Sequence, residues 1–590
     1  MLPFFRKNIL IKTTGDLFQL LPGKYRKRGS LVFFSLLVGS ILELFGLATL
    51  IPLFSVVLKE DGIHSSAYLQ ATYDKLGFQS ENNFILALCG LILLLIIFKN
   101  LMKLAINYFQ ASFSFSLFRY FSTGLQQYFY SRGFLFFKEN NSNEIVRDIN
   151  EASIRFAKSV VIPLLSLLSE LFILLLILLG ILIYDAKVLA LLVITVLPAF
   201  SLFYSATKKK IQHINETQHA LNAKLWKNLY ESIFGYVDVE INNNRKFFFG
   251  RYYDNVSKTK QLQTTLHVYN QAPNVVIETA MIMGIMAIVL YGLFALQSKS
   301  DLTMLLGVFG LAAYRVLPSV NRILVAILSI KGNQYTFGIV GQVKNLELSA
   351  VPQQNMDFRK EIDIQKLTFS YNGRSERILD QVSFSVNKGE TIGIVGKSGS
   401  GKTTLANILL RFLHETDGKI IIDGVHLDET RLEAWRNLIG YVQQEVYVVD
   451  GTLAENIAFG YEKPDEEKVW EAIRRACLED LVQNLPQGIH TPIGERGSQI
   501  SGGQRQRVGI ARAIYSGAQV LVFDEATSAL DSTTENEITE AIRHLSSENL
   551  TMFIIAHRIS TLKYCDRIIE LEEGKIKDIY TYKELTVKTT

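Results

Sequence analysis

Cysteine and net charge are both scarce in this 590-residue chain. The three cysteines, Cys89, Cys477 and Cys565, lie far apart and match no zinc or disulfide spacing, which favours buried or reduced thiols. A formal net charge of only +5 gives no basis for nucleic-acid binding. The N-terminus has basic residues but no uninterrupted apolar core followed by a small-residue cleavage site, so we expect no cleavable signal peptide.

Apolar residues, in contrast, make up 48% of the chain and are concentrated in its first half. A helix needs about 20 apolar residues to cross a bilayer. Six runs approach or exceed that length: 31–57, 84–108, 160–184, 188–206, 272–296 and 302–327. They predict a six-helix transmembrane domain over residues 1–345, followed by a polar linker at 346–361.

The polar segments between these runs predict the orientation in the membrane. Tight turns at Asp185–Lys187 and Gln297–Asp301 suit the far side, whereas residues 109–159 and 207–271 are long, charged and helical in pattern. Basic residues at Lys24–Arg28 and Lys208–Lys210 flank the membrane exits. By the positive-inside rule, both termini and the long loops face the cytoplasm.

The second half has the pattern of an α/β domain. From Ile362 onward, short β-type runs alternate with helical ones, as at Thr391–Val395, Val520–Phe523 and Met552–Ala556. Such alternation predicts a parallel sheet covered by helices, here over residues 362–590. The predicted fold class is therefore a multidomain membrane protein, with an α-helical transmembrane domain followed by an α/β domain.

A glycine-rich loop in this domain has the spacing of a P-loop, Gly396-xxxx-Gly401-Lys402-Thr403, between a strand and a helix. Glycine amides and the helix N-terminus favour phosphate, Lys402 adds a positive charge, and the Thr403 hydroxyl suits Mg²⁺. The pattern makes the domain a P-loop ATPase that uses ATP and Mg²⁺. The predicted nucleotide-binding residues are Gly396, Lys397, Ser398, Gly399, Ser400, Gly401, Lys402, Thr403 and Thr404.

Two further motifs follow. Asp524 and Glu525 follow the apolar run Val520–Phe523. Asp524 can hold Mg²⁺, and the Glu525 carboxylate can accept a proton from an attacking water. Upstream, Ser501, Gly502, Gly503 and Gln504 offer a hydroxyl, flexible glycine amides and a following helix. They form a second phosphate cradle, which is useful if it caps a γ-phosphate that another copy holds.

The order of these motifs over about residues 362–580 resembles the ATP-binding cassette (ABC) family. The resemblance implies that Tyr371 stacks on adenine, Gln444 senses Mg²⁺ and couples to the membrane domain, and His557 contacts the γ-phosphate. Asp531 closes the D-loop run that follows Glu525. Gln443 stands where the family usually has proline, so the choice between Gln443 and Gln444 depends on register.

One membrane domain fused to one cassette resembles an exporter-type half-transporter. All cassette motifs are present, including Glu525, which favours a homodimer over a heterodimer, since heterodimers commonly tolerate one degenerate site. An ABC ATPase that regulates rather than transports is a separate alternative. The apolar first half of the chain disfavours it.

A late membrane segment suggests the cargo. Residues Ala313–Ile323 resemble the corresponding stretch of bacterial lipid-linked oligosaccharide flippases of protein N-glycosylation. Arg315 and Arg322 share a helix face about 10 Å apart and suit a diphosphate, and Lys99 falls where that family has another cavity cation. Alternatively, these cations form structural ion pairs with Glu43, Glu170 or Glu278.

Together these features predict a homodimeric ABC exporter in the bacterial cytoplasmic membrane. Its expected cargo is a polyprenyl-diphosphate-linked oligosaccharide that moves from the inner to the outer leaflet. Another amphipath, such as a lipid A-like lipid, a drug or a peptide, is the alternative cargo.

Overall fold

The chain folds into two compact units, Met1–Glu347 and Leu348–Thr590. The boundary between them falls within the segment 346–361 that the sequence predicts as a linker. The computed structural model describes residues 9–49, 67–75, 77–78, 80–184, 186–295, 299–345, 354–371, 376–494, 497–525, 532–556 and 558–589.

The N-terminal unit is built from helices. In chain order they are α1 (Ile9–Leu20), α2 (Gly23–Ala48), α3 (Ala67–Lys75), α4 (Glu81–Ser131), α5 (Gly133–Glu139), α6 (Ser142–Arg147), α7 (Ser153–Phe156), α8 (Ile162–Tyr184), α9 (Ala186–Phe234), α10 (Tyr236–Ile241), α11 (Arg245–Ala295), α12 (Lys299–Gly332) and α13 (Tyr335–Val340). Two π-helical turns, Asp148–Ala152 and Ala157–Val161, flank α7. A 3₁₀ turn at Gly341–Asn345 ends the unit.

The long helices of this unit are much longer than a bilayer is thick. Helices α4 and α11 have 51 residues each and α9 has 49. At about 1.5 Å per residue they extend roughly 75 Å, more than twice the ~30 Å hydrocarbon core. They therefore continue well beyond the apolar runs that they contain, in agreement with the long helical loops expected from the sequence.

Three helical stretches among the described residues are long and apolar enough to cross a membrane: Gly23–Phe45, Glu81–Ser131 and Ser142–Ile183. The pair Val316–Gly332 and Tyr335–Lys344, bent by 53°, would be a fourth. The predicted run 188–206 lies in α9, and residues 272–295 of the run 272–296 lie in α11. Residue 296 and residues 50–57 of the first run lie outside the described residues. Leucines such as Leu94, Leu101 and Leu104 are largely exposed, as a lipid-facing surface requires.

Packing brings four membrane helices together. Helix α2 contacts α4 and α8, and α12 contacts α8. Next to them, edge-to-face aromatic pairs join α4, α7 and α13, with ring centroids 5.2 Å apart for Phe121 and Phe156 and 5.0 Å apart for Phe156 and Phe337. This arrangement gives the four helices a shared interior.

The C-terminal unit contains two sheets. Its strands are β1 (Glu361–Phe369), β2 (Leu379–Asn387), β3 (Thr391–Gly396), β4 (Asp417–Ile422), β5 (Val425–His426), β6 (Ile439–Val442), β7 (Val520–Asp524), β8 (Thr551–Ile555), β9 (Arg567–Glu572) and β10 (Lys575–Tyr580). Its helices are α14 (Lys402–Leu409), α15 (Leu432–Leu438), α16 (Leu453–Ile457), α17 (Glu466–Arg475), α18 (Glu479–Asn484), α19 (Gly502–Tyr515), α20 (Ser532–Ser546) and α21 (Tyr582–Thr589). Short 3₁₀ turns lie at Glu429–Arg431, Gly488–His490 and Ile559–Leu562.

The larger sheet determines where the predicted site residues meet. Its strand order is β10-β9-β3-β8-β7-β6, while β2-β1-β4-β5 form a separate antiparallel sheet. Strands β3, β8, β7 and β6 run parallel, so their carboxyl ends reach the same edge. Every residue of β7 and β8 is buried, which explains their uninterrupted apolar sequences. The phosphate loop, Glu525 and the two glutamines follow these strands, and Asp524 is the last residue of β7.

Candidate functional site

The phosphate loop requires glycine at two positions for steric reasons. Gly396 and Gly401 have φ angles of +152° and +102°. A Cβ atom on Gly396 would lie 2.2 Å from the Leu571 carbonyl oxygen, and one on Gly401 would lie 2.7 Å from Leu379 Cδ2. Only glycine fits this conformation and these contacts without displacing the backbone. The loop can therefore bring its own amides close to a ligand.

Lys402 is the buried cation of this loop. It is 5% exposed, and its Nζ donates to the carbonyl oxygens of Gly396 (2.9 Å) and Lys397 (3.0 Å). Burial lowers the pKa of Lys402, while the carboxylates of Glu525 and Asp524 act in the opposite direction. The ammonium group is held inside the loop, where a phosphate would complete its neutralisation.

The remaining polar groups of the loop fit a bound nucleotide. Ser400 is buried, and its hydroxyl has no hydrogen-bond partner among the residues that the structure describes. Thr403 is the second residue of α14 and has an exposed side chain, which suits a hydroxyl that binds Mg²⁺. A buried hydroxyl with unused hydrogen-bonding capacity is what a phosphate cradle needs.

Asp524, the last residue of β7, is 8% exposed and receives a hydrogen bond from Tyr441 Oη to its Oδ2 (3.1 Å). Burial, and then the negative charge of Asp524, raise the pKa of Tyr441, so the phenol stays protonated and remains a donor. Our sequence reasoning missed Tyr441. Pairing β6 with β7, which places Tyr441 opposite Val522, would have indicated it.

Glu525 has an unusual backbone conformation. Its φ angle is +50°, in the left-handed region that side chains other than glycine rarely adopt. Its amide donates to the Ile555 carbonyl oxygen (3.0 Å), which joins the ends of β7 and β8. Such strain costs on the order of 1–3 kcal/mol and persists where surrounding contacts enforce it, often at active sites. The conformation supports the predicted role of Glu525 as the base.

The two candidate glutamines differ in their surroundings. Val442 pairs with Phe523 in register, so Gln443 and Gln444 continue beside Asp524 and Glu525. Gln443 lines a separate cavity of about 250 Å³ with Val446, Phe459 and Arg512. The Gln444 carbonyl oxygen accepts a hydrogen bond from Gln506 Nε2 of α19. This difference favours Gln444 as the Mg²⁺-sensing residue, which stays a prediction.

The Ser501–Gln504 segment begins α19 with a reciprocal cap. Ser501 Oγ accepts from the Gln504 amide (3.2 Å), and Gln504 Oε1 accepts from the Ser501 amide (2.8 Å). Ser501 is exposed, whereas Gly503 is buried against Thr534 of α20. The helix N-terminus thus faces outward, as a cradle for a phosphate held by another copy would require.

Of three further residues predicted to contact the nucleotide, the structure describes one, Tyr371. Tyr371 is half-buried at the end of β1, with its ring 5.0 Å from that of Phe369. Asp531 and His557 lie outside the described residues. The chain just after His557 is well anchored, because Arg558 and Ser560 both hydrogen-bond to Glu535.

Comparison with known proteins supports the nucleotide-site interpretation. A family profile described as ABC transporter matches residues 379–528. An ATP-dependent lipid A-core flippase of Burkholderia orbicola (strain AU 1054) is 33% identical over 422 residues, which cover 69% of each chain. The chain belongs to the ABC transporter family. The uncharacterized ABC transporter ATP-binding protein YwjA of Bacillus subtilis (strain 168) is 40% identical over 260 residues, 42% of this chain and 45% of that one.

A solved structure shows that the similarity in fold extends over nearly the whole of this chain. A bacterial Atm1-family ABC exporter with ATP bound has a TM-score of 0.76 at 22% identity and covers 96% of this chain and 97% of that chain. The protein is an exporter-type half-transporter with a helical membrane unit, and it couples ATP hydrolysis to transport. The predictions of family, fold class and ATPase activity are confirmed.

The membrane unit of this ABC transporter contains a polar cavity of about 200 Å³ between α2, α4, α8 and α12. Two ion pairs line it: Lys103 Nζ with Glu43 Oε1 (2.9 Å) and Arg322 Nε with Glu170 Oε1 (2.5 Å). Arg322 therefore makes one of the ion pairs that the sequence left open as an alternative. Its two Nη atoms have no hydrogen-bond partner among the described residues.

The other two predicted cargo residues are placed differently. Lys99 is half-buried and does not line the cavity, whereas Lys103, one helical turn later on α4, does. Lys103 was not predicted, because the sequence does not determine which residue of α4 packs opposite Glu43 of α2. The side chain of Arg315 lies outside the part of the chain that the structure describes.

Proposed function

We propose that this ABC exporter is a homodimeric flippase for a polyprenyl-diphosphate-linked oligosaccharide. It moves this lipid from the inner to the outer leaflet of the bacterial cytoplasmic membrane, with both termini and the ATPase unit in the cytoplasm. The observation that carries the proposal is the ion-paired cavity between four membrane helices. Ionisable residues at membrane depth are costly, and they commonly mark the path of a substrate.

Arg322 is suited to bind phosphate in this cavity. Glu170 holds the Nε side of the guanidinium, and among the residues that the structure describes both Nη atoms are open to a ligand. The Arg322 side chain is 42% exposed, so a ligand can reach it. Arg315 lies two turns earlier on α12, about 10 Å away along the axis. Guanidinium groups bind phosphate oxygens in a bidentate manner, so Arg315 and Arg322 together are the proposed partners of a diphosphate.

A lipid A-like lipid is the second candidate cargo. A relative that aligns with 69% of this chain at 33% identity is named a lipid A-core flippase. The same cations would serve a phosphorylated saccharide on either lipid. The two candidates therefore differ in the lipid and glycan rather than in the anion.

The ATPase unit drives this transport with its own residues. Lys402 and the loop amides would bind the phosphates, and Thr403 and Asp524 would hold a Mg²⁺ ion, which would supply positive charge against the phosphate oxygens. Glu525 accepts a proton from the attacking water, and His557 contacts the γ-phosphate. Ser501–Gln504 of a second copy caps each nucleotide, so binding draws two chains together and hydrolysis separates them. Complete motif sets in one chain favour two identical copies.

Reconstituted vesicles test the proposal. Wild-type protein should flip a fluorescent polyprenyl-diphosphate oligosaccharide in an ATP-dependent manner, and Glu525→Gln should bind ATP without flipping. The Arg315→Ala/Arg322→Ala variant should flip at least about tenfold more slowly, since each lost charged hydrogen bond costs roughly 1.5–3 kcal/mol. Equal flipping by wild type and the double variant would contradict the diphosphate site. Flipping of labelled lipid A-core alone would favour the second cargo.

A further inference from the structure

A buried carboxylate oxygen in the membrane cavity lacks a hydrogen-bond donor among the residues that the structure describes. Glu170 is 8% exposed, and its Oε1 is bound to Arg322 Nε (2.5 Å). Its Oε2 is buried and has no hydrogen-bond partner among the described residues. A buried carboxylate oxygen without a donor is unfavourable, so the cavity holds an acceptor that a ligand can satisfy.

The rest of the cavity offers mixed donors and acceptors. Gln110 Nε2 donates to Ser166 Oγ (3.1 Å), and the hydroxyls of Ser40 and Ser169 lie 3.0 Å apart. The two carboxylates of the ion pairs balance the two cations, Lys103 and Arg322. Beside the Arg322 guanidinium, the cavity therefore offers both donors and acceptors, which a sugar can match because its hydroxyls both donate and accept hydrogen bonds.

We propose that this cavity is a saccharide subsite, in which Glu170 Oε2 accepts a hydrogen bond from a hydroxyl or amide N–H of the sugar next to the diphosphate. The inference rests on the proposed function. An ionised phosphate has no donor to offer Oε2, so this atom selects for the sugar. Arg322 Nη atoms meanwhile bind the adjoining phosphate oxygen. The volume of about 200 Å³ admits one sugar unit rather than a whole oligosaccharide.

The test compares two lipids that differ only by the sugar. The probes are a short-chain prenyl diphosphate carrying N-acetylglucosamine and the same prenyl diphosphate without it. The half-saturating concentration of each lipid is measured by stimulation of ATP hydrolysis in the full-length transporter. Glu43→Gln is the matched control for Glu170→Gln, because it removes the other cavity carboxylate, which also pairs with a cation.

Wild-type protein should prefer the sugar-bearing lipid by about tenfold. In Glu170→Gln this preference should disappear, while binding of the sugarless lipid stays the same or improves because Arg322 is no longer neutralised. Glu43→Gln should shift both lipids equally and keep the preference. An equal shift of both lipids in Glu170→Gln, or no sugar preference in wild type, would overturn the subsite. If wild type responds to neither lipid, the proposed function fails and the subsite with it.

Photolabelling gives an answer that needs no variant. A diazirine on the sugar of the same lipid should label wild-type peptides that contain residues 36–43, 103–110 or 166–170. Labelling confined to other peptides would overturn the subsite even if Glu170→Gln did not fold.

Discussion

Gly503→Ala is expected to destabilise the ATPase unit through a single contact. A Cβ atom at this position would lie 1.7 Å from Thr534 Cγ2, but 3.2 Å from its Cβ and 3.7 Å from its Oγ1. Carbon atoms in contact normally lie about 3.5–4.0 Å apart, so the overlap is roughly 2 Å and falls on one methyl group. A β-branched side chain in a helix has little freedom to move that methyl group.

The magnitude follows from overpacking. Forcing a methyl group into a packed site costs about 1–3 kcal/mol, partly offset by the ~1 kcal/mol that alanine gains over glycine in a helix. At about 2–4 °C per kcal/mol for a unit of this size, the Tm should fall by a few degrees. Thr534→Ser removes the clashing methyl group. Alone it should lower the free energy of unfolding by less than about 1 kcal/mol, and combined with Gly503→Ala it should restore the Tm.

The assay is thermal unfolding of the full-length transporter, followed in the transition that ATP stabilises. Gly250→Ala is the control, because nothing lies within 4 Å of its added Cβ. A lower Tm in Gly503→Ala that Thr534→Ser restores would show that α19 packs on α20 through this contact. An unchanged Tm in Gly503→Ala, or an equal decrease with and without Thr534→Ser, would refute the packing argument.

Three further predictions concern the nucleotide site. Tyr441→Phe removes the donor to Asp524 and should raise the Mg²⁺ concentration for half-maximal ATP hydrolysis up to about tenfold; an unchanged Mg²⁺ dependence would exclude this role. Gln506→Ala removes the tie between α19 and the Gln444 carbonyl and should lower ATP turnover more than ATP affinity in a nucleotide titration; the opposite order would argue against coupling through α19. ATP affinity should fall as pH rises through the lowered pKa of Lys402, because the neutral amine no longer attracts phosphate. Lys402→Arg should bind more weakly but without that decline, and an identical pH profile would assign the effect to another group.

The strands and loops that carry the candidate nucleotide site were largely predictable because their sequence signals are local. The spacing from Gly396 to Thr403 specifies a loop between a strand and a helix, and buried apolar runs identified β7 and β8. Parallel pairing then brings the ends of these strands to one edge. The left-handed conformation of Glu525 was not predictable, since it depends on its backbone bond to Ile555 across the sheet.

The membrane cavity was less predictable because it depends on how helices face one another. Helical periodicity places Lys99 and Lys103 on the same stripe, but only packing against α2 determines which of them reaches Glu43. The pairing of Arg322 with Glu170 likewise depends on the contact between α12 and α8. From the sequence alone, cargo binding and ion pairing were both open as roles for Arg322. The structure shows the ion pair with Glu170, and cargo binding by Arg322 stays a prediction.

We propose that a second copy of the chain completes each ATP site. Two differently tagged chains test this, both carrying Glu525→Gln so that ATP is bound but not hydrolysed. One chain also carries Lys402→Ala and the other Ser501→Arg. Purified mixed dimers should trap one ATP, because the intact loop of one chain meets the intact Ser501 segment of the other. Dimers of either chain alone should trap none, and mixed dimers that trap no ATP would contradict the account.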